Sequence, residues 1–291
     1  MKAMTTSRPV DVDLYTTVRF PERFEGDWAG FYRSSWKKTV DLSSQVRSEM
    51  GVVYGHDPFQ TLDVFAREDT TDAPVLVFMH GGGFKEGHPS HFGSVAEPLI
   101  ARGVVFVSVG YRFEPDHGFP DNVEDAAHAL RWVYDHVSQF GGSPDRIFVS
   151  GHSAGANLAA LLSMQSQWLA AEGLPADLIK GAALYSGGFD YSVQDALYPD
   201  ASDRPAGASV TTDLQHAPGH VIIVYGDPEG QRIGQSGDFF KRQGEGLTRG
   251  LEAIGISPEV IVVPDTIHLN TGIAWGDEDS PVFAAVERML H

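Results

Sequence analysis

A serine with a glycine two positions away on each side stands in the segment GHSAG, residues 151–155. The strand-like run RIFVS precedes it, and the helix-like run AGANLAALL follows it. A sharp strand-to-helix turn raises such a hydroxyl above a sheet edge at a helix N-terminus, where developing negative charge is stabilised. Glycines at 151 and 155 remove Cβ atoms that would clash in that turn. The pattern predicts that Ser153 is a nucleophile; a helix-capping serine after a strand is the alternative.

A glycine-rich segment, His80-Gly81-Gly82-Gly83, follows the apolar run PVLVFM. Three glycines after a buried strand let the backbone turn its N–H groups inward, and acyl transfer needs such donors to hold a tetrahedral oxyanion. We assign this role to the N–H groups of Gly82, Gly83 and Ala154. A flexible loop is one alternative and a phosphate cradle another. A phosphate cradle would place Lys-Ser/Thr after the glycines, whereas Phe84-Lys85-Glu86 follows here.

A serine nucleophile needs a base, and the chain has 12 histidines. His268 follows the last strand-like run and is therefore expected at the same sheet edge as Ser153. His80 and His152 belong to the two glycine-containing motifs, where a structural role is expected. His216 and His220 precede a strand and fall at the opposite edge. The order of the chain favours His268 as the base.

The base needs a carboxylate that orients it, and the candidates stand in YGDPEG after the run VIIVY. A frequent arrangement places the acid three positions after a glycine, and Gly226 plus three is Glu229. Asp227 lies nearer the strand end and is the rival, although it could cap the turn instead. Asp265 is only three residues from His268 and is too local. We favour Glu229 and keep Asp227 as the alternative.

The elements that must position these residues alternate between strand and helix from residue 52 onward. QTLDVFAR alternates as an antiparallel strand does, and later apolar runs are typical of strands buried on both faces. Helices are predicted at 90–103, 119–142, 153–173, 237–255 and 280–291. Together these strands and helices predict an α/β fold with a mostly parallel sheet and helices on both faces. Ligands gather at the carboxyl ends of the strands in such sheets.

The chain is expected to form one domain over residues 1–291. Residues 1–50 carry aromatic side chains near helical spacing, which predicts a helical arm that packs on the body or a lid over the pocket. Residues 187–216 are a candidate cap insertion, so a small helical cap is expected. Aromatic residues at the sheet edge, Phe84, Tyr111 and Phe113, are candidates for a substrate pocket; core packing is the alternative for each.

The composition of the chain argues against several classes of partner and site. The net charge is −18, which disfavours nucleic acid and anionic membrane surfaces as partners. The absence of cysteine excludes disulfides, thiolate metal sites and a cysteine nucleophile. The N-terminal segment lacks an apolar leader, and no apolar run approaches the roughly 18 residues of a membrane-spanning helix. We expect a cytoplasmic protein; a homodimer is compatible with the sequence but not derivable from it.

From about residue 52 to 291 the sequence resembles the α/β-hydrolase superfamily. The segments HGGGF, YRFEPDHGFPDNVEDAAHALRWVYDH and GHSAGANLAALL are similar to hormone-sensitive-lipase-like and feruloyl-esterase-like carboxylesterases. The segments YGHDPFQTLDVF, SHFGSVAEPLIARG and QSGDFFKRQ are similar to the arylformamidase-like branch. The resemblance implies hydrolysis of a small-molecule ester through an acyl-enzyme, without a metal or organic cofactor.

The chain departs in one place from the usual pattern of each of these two branches of the superfamily. Arylformamidase-like members usually have two glycines and then an aromatic residue after the histidine, whereas this chain has three glycines before Phe84, which favours ordinary carboxylesterases. Lipase-like relatives usually carry Asp at the acid turn, which keeps Asp227 open beside Glu229. The function alternatives are an amidase acting on N-formyl or other small aryl amides and a non-catalytic ligand-binding protein on the same fold.

Overall fold

The computed structural model describes residues 26–192, 206–230 and 238–291. The strands in these ranges are β1 Arg47–Val53, β2 Thr61–Ala66, β3 Ala73–Met79, β4 Val105–Val109, β5 Gly142–His152, β6 Ile179–Tyr185, β7 His220–Gly230 and β8 Glu259–Ile267. The α-helices are α1 Trp28–Ser43, α2 Glu97–Ala101, α3 Asp121–His136, α4 Ala154–Met164, α5 Ser166–Ala171, α6 Phe239–Ala253, α7 His268–Ile273 and α8 Pro281–Leu290. None of the helices in these ranges has the length and apolar character needed to cross a lipid bilayer.

The eight strands form one sheet in the order β1-β2-β4-β3-β5-β6-β7-β8. β1 pairs antiparallel with β2, and β2 pairs antiparallel with β4. The pairs from β4 through β8 are parallel. This topology confirms the predicted mostly parallel sheet with an antiparallel start. It also brings the carboxyl ends of β3, β5, β6, β7 and β8 to one edge, where the candidate site residues follow.

Two apolar layers cover the sheet, one on each face. Along β3, Val75 and Val77 contribute to the layer that contains side chains of α3, α4 and α6. Their neighbours Leu76 and Phe78 contribute to the opposite layer, with side chains of α2 and α8. Alternate side chains of a strand point to opposite faces, so a strand covered on both faces is continuously apolar. The predicted helices on both faces are confirmed.

The helix predicted at 90–103 is much shorter in the structure, where only α2 is α-helical. The preceding loop is bonded to α1 instead: the Ser94 amide donates to Thr39 Oγ1 at 2.9 Å, and Ser35 Oγ donates to the carbonyl of His91. The helix predicted at 153–173 is divided at Gln165, which has extended backbone angles (φ −126°, ψ 110°). Tertiary bonding and one extended residue therefore override the helical pattern at these two places.

The N-terminal arm is helical over α1, but Arg47 already begins β1, so residues 47–50 belong to the sheet and not to a helical arm. Residues 1–25 of that predicted segment lie outside the described residues. The candidate cap at 187–216 is described only at its two ends, because residues 193–205 also lie outside. Asn157 Nδ2 on α4 donates to the carbonyls of Gly188 and Ala208, at 2.9 and 3.0 Å. Both ends of this segment are thus held against α4.

Candidate active site

Ser153 occupies the turn between β5 and α4 with backbone angles φ 54° and ψ −116°. A residue with a side chain is strained at such a positive φ, so the surrounding structure must hold it there. Its N–H donates to the carbonyl of Tyr185 at the end of β6, at 2.8 Å. The residue is only 3% exposed. The strained strand-to-helix turn predicted from GHSAG is present in the structure.

The glycines of this turn are required by close backbone approaches. A Cβ on Gly155 would lie 2.0 Å from the carbonyl oxygen of Met79, because the start of α4 packs directly on the end of β3. A Cβ on Gly151 would lie 2.2 Å from the carbonyl oxygen of Gly155. Contacts this short would force the backbone apart, so neither position admits a side chain without displacing Ser153.

The glycine-rich loop after β3 lies against the same turn. A Cβ on Gly81 would lie 2.9 Å from His152 Nδ1 and 3.2 Å from Ser153 Cβ. The loop closes on itself, since the amides of Lys85 and Glu86 donate to the carbonyl of Gly82 at 3.0 and 3.2 Å. Gly82 and Gly83 both have positive φ, at 119° and 61°. The predicted donor loop and the predicted nucleophile are therefore adjacent.

Ala154 is the first residue of α4. The N–H groups of a first helical turn have no acceptor within their own helix. The Ala154 amide is thus available by its position, one residue beyond Ser153, for an acceptor outside the helix.

Tyr111 holds the start of the loop in place. Its hydroxyl donates to the carbonyl of His80 at 2.7 Å, and the two rings stack with centroids 4.6 Å apart. His80 Nδ1 in turn donates to the carbonyl of Gly81 at 2.7 Å. Burial lowers the pKa of His80 to about 4, so its ring is neutral near pH 7. His80 is a structural part of the loop, as its place in the motif predicted.

His268 is the first residue of α7, directly after β8, and its Nδ1 is hydrogen-bonded to Glu229 Oε1. The other carboxylate oxygen of Glu229 accepts hydrogen bonds from Ser186 Oγ at 2.8 Å and from the Gly226 amide at 2.9 Å. The side chains of His268 and Glu229 are 1% and 0% exposed. A carboxylate with three donors, held without solvent, fixes both the orientation of the ring and the atom that carries its proton.

Asp227, the rival acid, is bonded elsewhere. Its Oδ2 accepts from Lys241 Nζ on α6 at 2.6 Å, and both side chains are more than a third exposed. Asp265, which the sequence placed too near the histidine, is also exposed. Of the acids considered, the structure brings Glu229 to His268.

Three aromatic rings surround the imidazole of His268. Phe240 of α6 stacks on it at 4.3 Å between centroids and 12° between planes. His152 approaches at 4.3 Å with a 44° tilt, and Trp28 of α1 lies at 6.0 Å. Burial moves the pKa of His152 well below its usual range, so this second ring adds no positive charge beside His268 near pH 7.

The candidate pocket residues take different positions. Tyr111 is fully buried and Phe84 is 2% exposed, and both belong to the core layer that contains α3 and α4. Phe113 is partly exposed, and its ring packs on Phe59 with centroids 4.9 Å apart. Phe84 and Tyr111 thus support the edge of the site from within the core.

Sequence reasoning assigned no site role to two of these residues: Ser186, which bonds Glu229, and Phe240, which stacks on His268. Trp28 belongs to the aromatic arm that was predicted to pack on the body or to form a lid over the pocket. Ser186 directly follows β6, so its place at the carboxyl end of a strand was a usable signal. Its positive φ of 45° marks a second strained serine beside the first. The contacts of Phe240 and Trp28 depend on how α6 and α1 pack, which local pattern does not encode.

Comparison with known proteins relates this chain to proteins of the alpha/beta hydrolase fold. Residues 76–220 match a family model described as alpha/beta hydrolase fold. Esterase LipC of Mycobacterium tuberculosis is 41% identical over 116 residues, which are 39% of this chain and 29% of that protein. The chain therefore spans less than a third of the length of this curated esterase.

A longer match and a structural match extend the comparison. Kynurenine formamidase of Salmo salar is 27% identical over 234 residues, which are 76% of this chain and 74% of that protein. The crystal structure of esterase B from Lactobacillus rhamnosis superposes with a TM-score of 0.67 at 19% identity, over 90% of this chain and 92% of that one. At this identity the structural likeness shows the fold.

Proposed function

Because the chain belongs to the α/β-hydrolase superfamily, we propose that it is a serine hydrolase that cleaves carboxylic esters. The observation that carries the proposal is the buried hydrogen bond between His268 and Glu229 at the sheet edge that also bears Ser153. A buried histidine with one nitrogen bonded to a carboxylate is the usual orienting arrangement for a base that activates a serine.

In the first step His268 takes the hydroxyl proton of Ser153 as Oγ attacks the ester carbonyl. Oγ forms a bond to the carbonyl carbon, and the carbonyl oxygen becomes an oxyanion. Glu229 holds Nδ1–H, so Nε2 is the nitrogen that accepts the proton, and the carboxylate stabilises the imidazolium. The carbon–oxygen bond to the alcohol then breaks, and the alcohol leaves with the proton from His268.

The second step releases the acid. A water molecule gives its proton to His268 and attacks the acyl carbon. The bond to Ser153 Oγ breaks, and Oγ recovers the proton. Throughout, the oxyanion is held by the N–H groups of Gly82, Gly83 and Ala154. The close approach of Gly81 to Ser153 supports this role, because it brings the donor loop beside the reacting atom.

The similarity to curated esterases supports an ester as the substrate class. A second candidate is the hydrolysis of N-formyl aryl amides, which the same residues would catalyse with an amine as the leaving group. The specific observation in its favour is the extent of the match to a kynurenine formamidase, about three quarters of each chain.

A substrate panel on the purified protein separates the two candidates. Phenyl acetate, p-nitrophenyl butyrate and p-nitrophenyl decanoate sample ester size, and N-formylkynurenine samples the formamide. We expect the short aryl esters to give the highest kcat/KM. A kcat/KM for N-formylkynurenine that exceeds those of the esters by tenfold or more would move the assignment to a formamidase.

A fluorophosphonate probe tests the hydrolase class without a chosen substrate. We expect one covalent adduct, located on Ser153 by peptide mass spectrometry, and none in Ser153→Ala. A protein that takes up no probe and cleaves no member of the panel would be a non-catalytic binding protein on this fold.

A further inference from the structure

The first residue of α1, Trp28, reaches the candidate active site from a distant part of the chain. Its indole is stacked on His152, with 6.2 Å between centroids and 15° between planes, and lies 6.0 Å from the ring of His268. Trp28 is partly exposed, whereas both histidines are buried. The indole is therefore the most exposed of these three rings.

The position of this indole is fixed by the packing of α1. Asp27 caps the helix by accepting from the Gly30 amide at 2.8 Å. A Cβ on Gly26 would lie 3.0 Å from Ile267 Cδ1 and 3.6 Å from Leu269 Cδ2, so the chain before the helix lies on the residues that flank His268. The helix start and the histidine loop are thus held together.

One turn further along α1, the ring of Tyr32 stacks on His91 with centroids 4.3 Å apart. Thr39 Oγ1 accepts from the Ser94 amide, which ties the C-terminal half of the helix to the loop that follows the glycine-rich segment. Because α1 is fixed by contacts along its length, the Trp28 indole at its start is held in place. A ligand that stacks on a ring held in this way loses little conformational entropy of the protein on binding.

The rings packed around His268 restrict the directions from which a substrate group can reach its imidazole. Phe240 is 1% exposed and stacks on His268 from the buried side. A group that receives a proton from His268 must approach the imidazole from elsewhere, and Trp28 is the partly exposed ring beside it, 6.0 Å away. In the proposed reaction this group is the leaving alcohol or amine, since the histidine protonates it as it departs.

We propose that Trp28 is a specificity-determining residue whose indole stacks on aromatic leaving groups and so favours their esters or amides. The inference rests on the proposed function, because it uses His268 as the proton donor to the leaving group. It assigns the aromatic preference to the leaving side of the scissile bond and not to the acyl side.

Two matched ester pairs test this placement. Benzyl acetate and cyclohexylmethyl acetate share the acyl group and differ in the aromaticity of the alcohol. Methyl benzoate and methyl cyclohexanecarboxylate share the alcohol and differ on the acyl side. The kcat/KM of each is measured for the wild type, Trp28→Leu and Trp28→Phe, with Trp36→Leu on the same helix as control and thermal unfolding as the check of folding.

We expect Trp28→Leu to lower the benzyl-to-cyclohexylmethyl ratio of kcat/KM by about three- to tenfold, the range of an aromatic pair. Trp28→Phe should retain most of the ratio, Trp36→Leu should leave it unchanged, and the acyl-side ratio should not move. An equal loss on all four esters, or a change in the acyl-side ratio alone, would overturn the inference. A wild type that cleaves none of the four esters and no formamide would overturn the proposed function, and the inference with it.

Discussion

Nδ1 of His268 is hydrogen-bonded to Oε1 of Glu229, although 39 residues separate them in the chain. The parallel pairing of β7 with β8 creates this contact, since Glu229 stands opposite Thr266, two residues before the histidine. The same carboxylate is also bonded to Ser186 and Gly226. Together these bonds hold the carboxylate in the position from which it orients His268.

Replacing Glu229 by Gln should lower kcat for p-nitrophenyl acetate by about 10³- to 10⁴-fold, because an amide cannot hold the ring in the same tautomer or stabilise its charge. Asp227→Asn is the matched control. It removes only the partly exposed ion pair to Lys241 and should change kcat less than threefold. A larger loss in Asp227→Asn than in Glu229→Gln would reassign the acid.

Ser186→Ala removes the hydroxyl that donates to Glu229 Oε2 at 2.8 Å. A hydrogen bond to a charged acceptor contributes roughly 1.5–3 kcal/mol, so kcat should fall by about tenfold or more with little change in KM. Ser163→Ala is the control, since that buried hydroxyl bonds the Ala159 carbonyl within α4 at 2.8 Å. An equal kcat for Ser186→Ala and Ser163→Ala would show that the hydroxyl of Ser186 has no specific role in activity.

Tyr111→Phe leaves the carbonyl of His80 without its 2.7 Å donor at the start of the glycine-rich loop. An unsatisfied buried carbonyl costs about 1–3 kcal/mol, and a displaced loop would weaken the oxyanion donors. We expect kcat to fall about three- to tenfold. Tyr54→Phe removes a comparable bond, to the Gly110 carbonyl at 2.6 Å, and should leave kcat unchanged. Loss of kcat in both variants alike would point to general destabilisation.

Asp63 predicts a pH dependence of stability. It is fully buried, and its oxygens accept from the Gly51 amide at 2.7 Å and Ser90 Oγ at 2.6 Å. Burial raises its pKa from 3.8 to about 6. The folded protein therefore binds this proton more tightly than the unfolded chain. The stabilisation is fully present below about pH 4 and is lost as pH rises through about 6.

Asp63→Asn removes this titration while keeping a group of similar shape. The Tm of the variant minus that of the wild type should therefore rise between about pH 4 and pH 7, by the equivalent of roughly 2 kcal/mol. Thermal unfolding of both proteins in matched buffers measures the difference. A difference that is constant over this range would show that Asp63 does not titrate as stated.

The sequence predicted the parts of the site that local chemistry dictates. The glycine spacing around Ser153 predicts the strained turn, because only a chain that must avoid backbone contact needs glycine at 151 and 155. His268 follows a strand, and strand ends of a parallel sheet share an edge. The spacing from Gly226 favoured Glu229, which the structure pairs with His268.

The parts that escaped prediction depend on contacts between distant segments. The aromatic arm was predicted to pack on the body or to form a lid, but the contact of its Trp28 with His268, and the packing of α1 on the loop at Ser94, have no local signature. The packing at Ser94 replaces most of the helix predicted at 90–103. β1 went unrecognised within the aromatic arm because it is an edge strand with an irregular register between Glu49 and Val52, and it lacks the continuous apolar pattern of the central strands.

The central claim is that Ser153 is the nucleophile of a hydrolase, and its most direct test is the turnover of p-nitrophenyl acetate by Ser153→Ala. The account predicts that kcat falls by about 10⁴- to 10⁶-fold while the variant keeps the Tm of the wild type, since loss of a nucleophile abolishes the acyl-enzyme route. Turnover by Ser153→Ala within tenfold of the wild type would contradict it.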